Sequence, residues 1–205
     1  ADKAVEGEIA ALRKSGTLDK AAGQRILAGG DKIKAAVADA MRRVTRELAT
    51  FTVGCLKCIS VGEQVTISAT DGTKQIVGAK STFTGGIDGD FIAWGCSANE
   101  GSTSKTSVEV YELIENADYR KIFGGFGENL DRLCFTRAQI RKFVETNKRW
   151  LSKNWTFFLF KEGSEFFVAG VYLCDDGGPD VGVDRFSYGS VWYAVDTHRV
   201  VFPQL

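Results

Sequence analysis

The side chains with the widest chemical range in this chain are a single histidine and five cysteines. Any histidine-dependent acid–base catalysis would have to use His198, and a Cys–His or Ser–His dyad could in principle recruit Cys174 or Ser190, which are nearby in sequence. However, residues 196–199 are typical of a polar turn before a last strand. The sequence therefore favours a structural role for His198 and assigns no catalytic residue.

Cys55 and Cys58 form a CxxC motif, which can be half of a zinc site or a redox pair. A zinc site would need two further ligands from the other cysteines or His198, but the chain has no second CxxC and no paired histidine. A redox pair would normally open a helix, and a spacing of three on a strand would place the two thiols on opposite faces. We therefore interpret both as buried structural side chains, and we predict neither a metal nor a cofactor.

Two kinds of glycine-rich segment are candidates for ligand binding. Residues 124–127 have the sequence Gly-Gly-Phe-Gly, but a phosphate-binding loop needs a helix N-terminus directly after it, and here acidic residues follow. A flexible connector is the better interpretation. The carboxylate pairs Asp88/Asp90 and Asp175/Asp176 lie in turns without the ligand ladder of an EF-hand, so we interpret them as solvated turn residues, with a weak calcium site as the alternative.

A basic stretch near the middle of the chain offers groups that could bind phosphate. Residues 120–154 carry a net charge of +6, although the whole chain is neutral at pH 7. The cations expected on the outer face of the helix at 137–153 are Arg137, Arg141, Lys142, Lys148 and Arg149. Such a stripe can bind nucleic acid, but it can equally face solvent or the acidic sheet beside it, and a neutral chain argues against strong non-specific binding. Nucleic-acid association is therefore the second hypothesis.

The last third of the chain is rich in aromatic residues within strand-like runs. Half of the side chains on an alternating strand face inward, and aromatic residues that share the opposite, open face form a binding surface. We assign Tyr188, Trp192 and Tyr193 to that face. The leading hypothesis is a non-enzymatic binding module that uses this aromatic sheet face to bind a protein partner or a second copy of the chain. A small enzyme, with a site assembled from residues distant in sequence, is the third hypothesis.

The N-terminal half is predicted from periodicity and turn signals. Residues 1–50 show three helical stripes, interrupted at Gly16 and Gly29-Gly30. From residue 51 the period changes to two, and Asp71-Gly72 predicts a hairpin with strands at 65–68 and 75–77. Further strands are expected at 91–94 and 108–111. This half is therefore predicted to contain a helical segment and an antiparallel β region.

The C-terminal part is predicted to contain one helix followed by an antiparallel sheet. Thr136 and Gln139 have the spacing of a capping box, which begins an amphipathic helix. Strands are expected at 156–160, 166–173, 181–188, 191–195 and 199–202, and the first is apolar enough to be central. The fold class is therefore α+β: an N-terminal helical segment, antiparallel β regions, and one amphipathic helix packed on a C-terminal antiparallel sheet. The predicted divisions are 1–50, 51–116 and 117–205, of which the last two can form one continuous domain.

Composition limits the class of protein further. The hydrophobic fraction of 44% and the charged fraction of 25% are ordinary for a folded globular chain. No run reaches the ~18 apolar residues that a membrane helix requires, and the first residues do not resemble a secretory signal. Five cysteines without a disulfide-framework spacing favour reduced thiols. We expect a soluble, cytoplasmic protein with no membrane partner.

Several C-terminal segments resemble one known family. They are LCFTRAQI at 133–140, WTFFLF at 155–160, FFVA at 166–169, DRFSY at 184–188 and HRVVFPQL at 198–205. Together they resemble a family of uncharacterised proteins from uncultured bacteria with small genomes, over roughly residues 129–205. Residues 11–20 are similar to short helical segments of the same group. The family has no known activity, so the resemblance implies no functional residue, and residues 51–128 resemble no family.

Overall fold

Alternating apolar and polar residues build the C-terminal three quarters of the chain around a single sheet. The computed structural model describes residues 39–40 and 52–204, and the chain divides into two compact units, Ala1–Ala49 and Thr50–Leu205. The helices predicted for residues 1–50 lie outside the described residues, apart from 39–40, which are helical. In the described part of the chain, no helix is long and apolar enough to cross a bilayer.

Strands dominate residues 52–204, and the helices are few and short. The strands are β1 (Thr52–Val53), β2 (Leu56–Cys58), β3 (Val65–Ile67), β4 (Gly86–Ile87), β5 (Thr106–Leu113), β6 (Thr156–Glu162), β7 (Glu165–Leu173), β8 (Pro179–Arg185) and β9 (Arg199–Pro203). The α-helices are α1 (Asp90–Ala93), α2 (Tyr119–Gly124) and α3 (Arg137–Thr146). Short 3-10 helices occupy Leu130–Leu133, Lys148–Trp150 and Ala194–Asp196.

All nine of these strands belong to one sheet. Its order is β1-β2-β5-β9-β6-β7-β8-β4, and β3 also pairs with β5. The pairs β6–β9 and β4–β8 are parallel, and the other pairs are antiparallel. The mixed α and β class and the mostly antiparallel sheet are therefore confirmed for the described residues. Because β5 pairs with β9, strands from 51–116 and from 117–205 lie in the same sheet.

Both faces of the sheet are covered, and β6 lies between two core clusters. Residues 156–160 are all buried, as expected for a central strand. Phe158 faces α3, where its ring lies 5.2 Å from that of Phe143. Phe157 faces the other side, where its ring lies 5.4 Å from that of Tyr119 on α2. The alternation of β6 thus divides the apolar residues between two layers.

The start of α3 confirms the predicted capping box. The Gln139 backbone N–H donates to Thr136 Oγ1 at 3.2 Å, and the Thr136 N–H donates to Gln139 Oε1 at 2.9 Å. These bonds satisfy two backbone donors that a helix N-terminus leaves without partners. The helix is shorter than predicted because it ends at Thr146, and the Asn147 amide then donates to the Thr66 carbonyl at 3.0 Å.

Three strand predictions are wrong. Residues 75–77 form no strand, since the Gln75 amide donates to the Gly72 carbonyl at 2.6 Å and closes a local turn instead of a hairpin. Residues 91–94 lie largely in the short helix α1. Residues 191–195 form a loop that makes one bridge and then a 3-10 turn. Short apolar runs occur in strands and in short helices alike, so periodicity alone does not separate them.

Candidate interaction surface

The predicted aromatic binding residues lie on a loop beside the sheet, not on its face. This loop, residues 186–198, is called the anchored loop below. Its middle residue, Trp192, pairs with Ala117 in an isolated antiparallel bridge, with N···O distances of 2.8 and 3.1 Å. The assignment of Tyr188, Trp192 and Tyr193 to an open sheet face is therefore wrong, because the segment pairs with a connector rather than with a strand.

The backbone of the anchored loop is held by hydrogen bonds from several parts of the chain. The Ala194 N–H donates to Asn116 Oδ1 at 2.9 Å, and Ser152 Oγ donates to the Thr197 carbonyl at 3.0 Å. The Asn154 amide donates to the Asp196 carbonyl. Thr197, the second-last residue of the loop, lies in the left-handed region at φ 52°, a conformation that non-glycine residues adopt only where surrounding contacts impose it. The loop therefore has a defined course on the surface.

Side chains on this loop alternate between the core and solvent. Trp192 and Ala194 face inward and pack against the core beneath α2. The apolar side chains on the outside are Val191, Tyr193 and Val195, which are 49%, 56% and 86% exposed, and Tyr188, which is 51% exposed. We call these four residues the apolar ridge. The outward alternation predicted for a strand is thus present, but on a loop.

Trp192 anchors the ridge rather than belonging to it. Its ring centroid lies 4.8 Å from that of Phe157, 5.6 Å from Tyr119 and 5.3 Å from His198. Aromatic contacts at such separations stabilise a core beyond the burial of area alone. Of the three aromatic residues predicted to bind, two are therefore exposed and the third supports them from below.

His198 lies under the anchored loop in a structural position. It is buried, its Nδ1 accepts the Trp155 backbone N–H at 3.4 Å, and its Nε2 lies 3.6 Å from Asp196 Oδ2. Burial lowers the pKa of His198, and the neighbouring Asp196 carboxylate opposes that effect only in part. Among the described residues, neither Cys174 nor Ser190 makes a hydrogen bond to this imidazole, so the dyads considered above are not formed.

Arg137 is buried, which corrects its assignment to an exposed basic stripe. The residue is 1% exposed, and its guanidinium donates to Glu162 and to the Ala98 carbonyl and lies 3.4 Å from Glu100 Oε1. Its backbone N–H donates to Glu100 Oε2 at 2.6 Å. The guanidinium therefore connects the start of α3 to β6 and to the loop before β5, and it is not available to a phosphate.

The other cations of the predicted stripe are mostly matched by carboxylates. Arg141 Nε donates to Glu145 at 2.8 Å, and Lys142 Nζ lies 3.8 Å from the same carboxylate. Arg149 is exposed and pairs with Glu63. Within residues 52–204, Lys148 forms no ion pair. The five residues therefore do not form one continuous positive surface.

An open groove beside α3 bears on the enzyme hypothesis. It encloses about 360 Å³ and is lined by Thr82, Glu145 and Lys148 among others. The Glu145 carboxylate accepts the Thr82 hydroxyl at 2.9 Å as well as the Arg141 bond. Burial alone would raise the pKa of Glu145, but these bonds outweigh burial and lower its pKa. A carboxylate held in its ionised form by two donors is a weak general base.

A cluster of carboxylates and aromatic rings lies on the β7–β8 part of the sheet, and sequence reasoning missed it. Asp180 and Asp184 share one face of β8 because they are four residues apart on a strand. Tyr172 on β7 is the cross-strand partner of Asp180, and its ring lies 4.7 Å from that of Trp155. Asp88, interpreted above as a solvated turn residue, is the third carboxylate. The i, i+4 pair of acids was the one available signal.

Two glycines allow Trp155 to lie against this sheet face. A Cβ atom at Gly170 would be 2.8 Å from Trp155 Cε3, closer than such atoms approach in proteins. A Cβ at Gly182 would instead lie at ordinary contact distances, 3.7 Å from Asp88 Oδ2 and 3.8 Å from the Trp155 ring. Gly170 is therefore required by packing, whereas Gly182 leaves a methyl-sized space between a ring and a carboxylate.

Within residues 52–204, the carboxylates of this cluster have no cationic partner. None of the ion pairs among the described residues includes Asp88, Asp180 or Asp184. Burial raises the pKa of both Asp180 and Asp184, and repulsion from Asp88 raises each pKa further. The Tyr119 hydroxyl donates to Asp184 Oδ2 at 2.7 Å. The cluster is therefore negatively charged and only partly compensated by hydrogen bonds.

Comparison with known proteins assigns neither surface. The chain matches no family model, no curated protein and no solved structure. The function must therefore be argued from the chemistry of the apolar ridge and of the acidic cluster themselves.

The CxxC pair lies in the core, where both Cys55 and Cys58 are buried. Cys55 and Cys58 are both buried in the cluster under α2, so they do not lie on opposite sides of the sheet as the spacing predicted. The reason is that Cys55 belongs to the turn before β2 rather than to the strand. Burial raises the pKa of Cys55, and burial with the nearby Asp131 raises the pKa of Cys134 to about 12. Neither thiol is suited to act as a thiolate nucleophile.

Proposed function

We propose that this protein is a non-enzymatic interaction module that binds a protein partner through the apolar ridge of the anchored loop. The observation that carries the proposal is the exposure of Tyr188, Val191, Tyr193 and Val195 on a backbone that is hydrogen-bonded along its length. These four side chains fall within eight consecutive residues, and apolar side chains that remain exposed close together mark interaction surfaces in proteins. Tyrosine is also enriched in the centres of protein interfaces.

The order of the loop supports binding rather than simple exposure. Association costs free energy when flexible side chains and loops become fixed in the interface, and a surface that is already ordered avoids part of that cost. Trp192 secures the centre of the loop in the core, while the bonds from Asn116 and Ser152 hold its second half. Tyr193 and Val195 are therefore presented to a partner at low entropic cost.

The expected partner has an apolar groove with a basic rim. Residues 155–205 carry a net charge of −4, and Asp184, which accepts the Tyr119 hydroxyl, lies four residues before Tyr188 of the ridge. Complementary charge at the rim of an interface increases the association rate and selects between partners. A second copy of this chain fits less well, because its own ridge would bring the same negative charge.

The experiment compares the ridge with an exposed apolar residue elsewhere. The protein with both Tyr193→Ser and Val195→Ser is immobilised beside the wild type and beside Ile92→Ser, which changes a residue of α1 that is 64% exposed. We expect a host-cell protein that is retained at low salt by the wild type and by Ile92→Ser, and is lost from the double variant. Equal retention by all three proteins would contradict the proposal. Light scattering at increasing protein concentration tests for self-association. If the protein self-associates, the ridge binds a second copy of this chain instead of a different protein.

Nucleic-acid association through residues 137–153 has less support. Arg137 is buried, and Arg141 and Arg149 already have carboxylate partners. A filter-binding titration with single- and double-stranded oligonucleotides tests this alternative, since binding through phosphates weakens steeply as salt increases. We expect no salt-dependent retention. Retention that falls with salt and is lost in a Lys148→Gln, Arg149→Gln variant would restore the hypothesis.

A further inference from the structure

We propose that the sheet face around Trp155 is a second binding site, which takes an ammonium cation that carries carbon substituents. This cation site consists of Trp155, Tyr172, Asp88, Asp180 and Asp184. It lies on the β7–β8 part of the sheet, whereas the apolar ridge belongs to residues 188–195. The inference concerns a different ligand from the partner of the ridge and does not depend on that partner.

The aromatic part of the site suits a cation with apolar substituents. Trp155 and Tyr172 are both half-buried, and their rings meet edge to face with centroids 4.7 Å apart. The negative face of an indole or phenol ring attracts a cation, and recognition of alkylated ammonium groups by aromatic side chains is the best-known use of this attraction. Apolar substituents on the cation also bury surface against the rings.

The carboxylate part supplies charge that nothing in the described residues neutralises. Asp88 is held in place because its Oδ1 accepts the Asp90 N–H at 3.0 Å and its Oδ2 accepts the Val183 N–H at 3.4 Å. Asp180 and Asp184 flank it from one face of β8. Burial and the proximity of Asp88 raise the pKa of both flanking carboxyls, and the hydroxyls of Tyr172 and Tyr119 stabilise the ionised forms only in part. A bound cation would stabilise them further.

Gly182 leaves the surface between both groups without a side chain. A Cβ atom at this position would touch Asp88 Oδ2 at 3.7 Å and the Trp155 ring at 3.8 Å. A ligand group that lies over Gly182 would therefore approach this ring and this carboxylate from one side. The described residues contain no group of three or more acids, cysteines or histidine arranged to hold a metal ion, so the geometry suits an organic cation better than a bare metal.

The test is a titration of the full protein with tetramethylammonium chloride at constant ionic strength. The signal is the indole N–H resonance of Trp155, assigned with a Trp155→Phe variant. We expect a saturable shift with tetramethylammonium and none with tert-butanol, a neutral molecule of similar shape. A third arm uses Nα-acetyl-lysine amide. Binding as tight as that of tetramethylammonium would indicate a lysine side chain as the source of the cation, and weaker binding would indicate a small alkylated amine.

Two substitutions separate the two parts of the site without removing an aromatic ring. Asp180→Asn keeps the shape but removes a charge, and Gly182→Ala fills the space between Asp88 and Trp155. Each should weaken tetramethylammonium binding about fivefold or more, since an exposed cation–aromatic or charge contact contributes on the order of 1 kcal/mol. Asp175→Asn, which neutralises an exposed loop carboxylate, should leave it unchanged.

Three outcomes would overturn the cation site. They are the absence of a saturable shift, an equal response to tert-butanol, and unchanged binding in both Asp180→Asn and Gly182→Ala. The double ridge variant with Tyr193→Ser and Val195→Ser should bind tetramethylammonium like the wild type. A variant that loses its partner but still binds the cation would therefore test the ridge alone. A variant that loses the cation but still retains the partner would test the cation site alone.

Discussion

Helix α3 and the anchored loop show opposite relations between sequence and structure. The backbone of α3 begins where its capping box predicts, but its first cation, Arg137, is in the core instead of on the surface. The anchored loop does not form the predicted strand, yet it presents Tyr193 and Val195 outward in the predicted alternation. Local signals therefore decide where a backbone element begins, whereas contacts distant in sequence decide what its side chains face.

The burial of Arg137 could not be predicted from the neighbouring residues in the sequence. Its partners, Glu100 and Glu162, are 37 residues before it and 25 residues after it. One local feature did indicate a special role: a cation at the first position of a helix opposes the helix dipole, which favours anions there. Glu100 supplies that anion from another segment, and its own burial raises its pKa in spite of the bonds from Arg137. A cation in an unfavourable helical position is a reason to expect a buried partner.

The largest expected effect is a loss of stability on replacing the buried cation Arg137, which tests whether burial distinguishes it from the exposed cations. Replacing Arg137 with Met would leave two carboxylates without their cationic partner, the largely buried Glu100 and the partly exposed Glu162. Removal of one member of a buried ion pair typically costs about 3 kcal/mol or more. We expect a loss of that size in the free energy of unfolding, measured by urea denaturation at pH 7.

The matched control for this prediction is Arg149→Met on the same predicted stripe. Arg149 is exposed and pairs with Glu63 at the surface. Exposed ion pairs contribute about 0–1 kcal/mol, so this variant should unfold close to the wild type. Similar midpoints for the two variants would show that the burial of Arg137 does not distinguish it energetically from the rest of the stripe.

The second prediction separates the anchor of the loop from its ridge. Trp192→Ala removes ring contacts with Phe157, Tyr119 and His198, and we expect a loss of about 2–3 kcal/mol because the side chain is only partly buried. Tyr193→Ala removes an exposed side chain, and surface changes are usually within about 0.5 kcal/mol. Thermal unfolding of both variants gives the comparison. A larger loss for Tyr193→Ala would mean that the ridge is itself part of the core.

The strands that sequence predicted well share a property that the missed segments lack. β6, β7 and β9 are long apolar runs that gain burial in any antiparallel arrangement, and their positions are confirmed. The segments at 75–77 and 91–94 are short, and single contacts decide them: an amide of Gln75 closing a turn, and the start of α1 at Asp90. The acidic cluster was missed because Asp88 reaches β8 only through the parallel β4–β8 pair, a contact between residues almost a hundred positions apart.

The third prediction tests how much the local cap contributes to α3. Thr136→Ala removes the hydroxyl that accepts the Gln139 N–H, and loss of such a cap costs about 1 kcal/mol. Thr146→Ala is the control at the other end of the same helix, where the hydroxyl donates to the Lys142 carbonyl within the last turn and accepts the Asn147 amide at an exposed position. Urea midpoints should fall for Thr136→Ala and hardly change for Thr146→Ala. Equal midpoints would mean that packing against the sheet, and not the cap, sets the start of α3.

The smallest expected effect is the pH dependence that His198 gives to the anchored loop. Burial holds the pKa of this imidazole below the unfolded value of about 6.5, so the unfolded chain binds a proton more readily than the folded one. The contribution to stability is therefore complete above about pH 6.5 and is lost as the pH falls through the folded pKa. Protonation would also remove the Nδ1 acceptor of the Trp155 N–H and place a charge beneath Trp192.

A His198→Gln variant isolates this contribution from that of the acids. Asp180, Asp184 and Glu100 have raised pKa values, so they act with the opposite sign: their contributions are present at low pH and are lost as the pH rises through their folded pKa values. Because the acids are common to both proteins, the difference in unfolding free energy between wild type and variant should be constant near pH 8. Below pH 6.5, the unfolding free energy of the wild type should decrease relative to that of the variant. Parallel curves down to pH 5 would mean that the imidazole titrates alike in both states, and that the anchor of the loop does not depend on its neutral form.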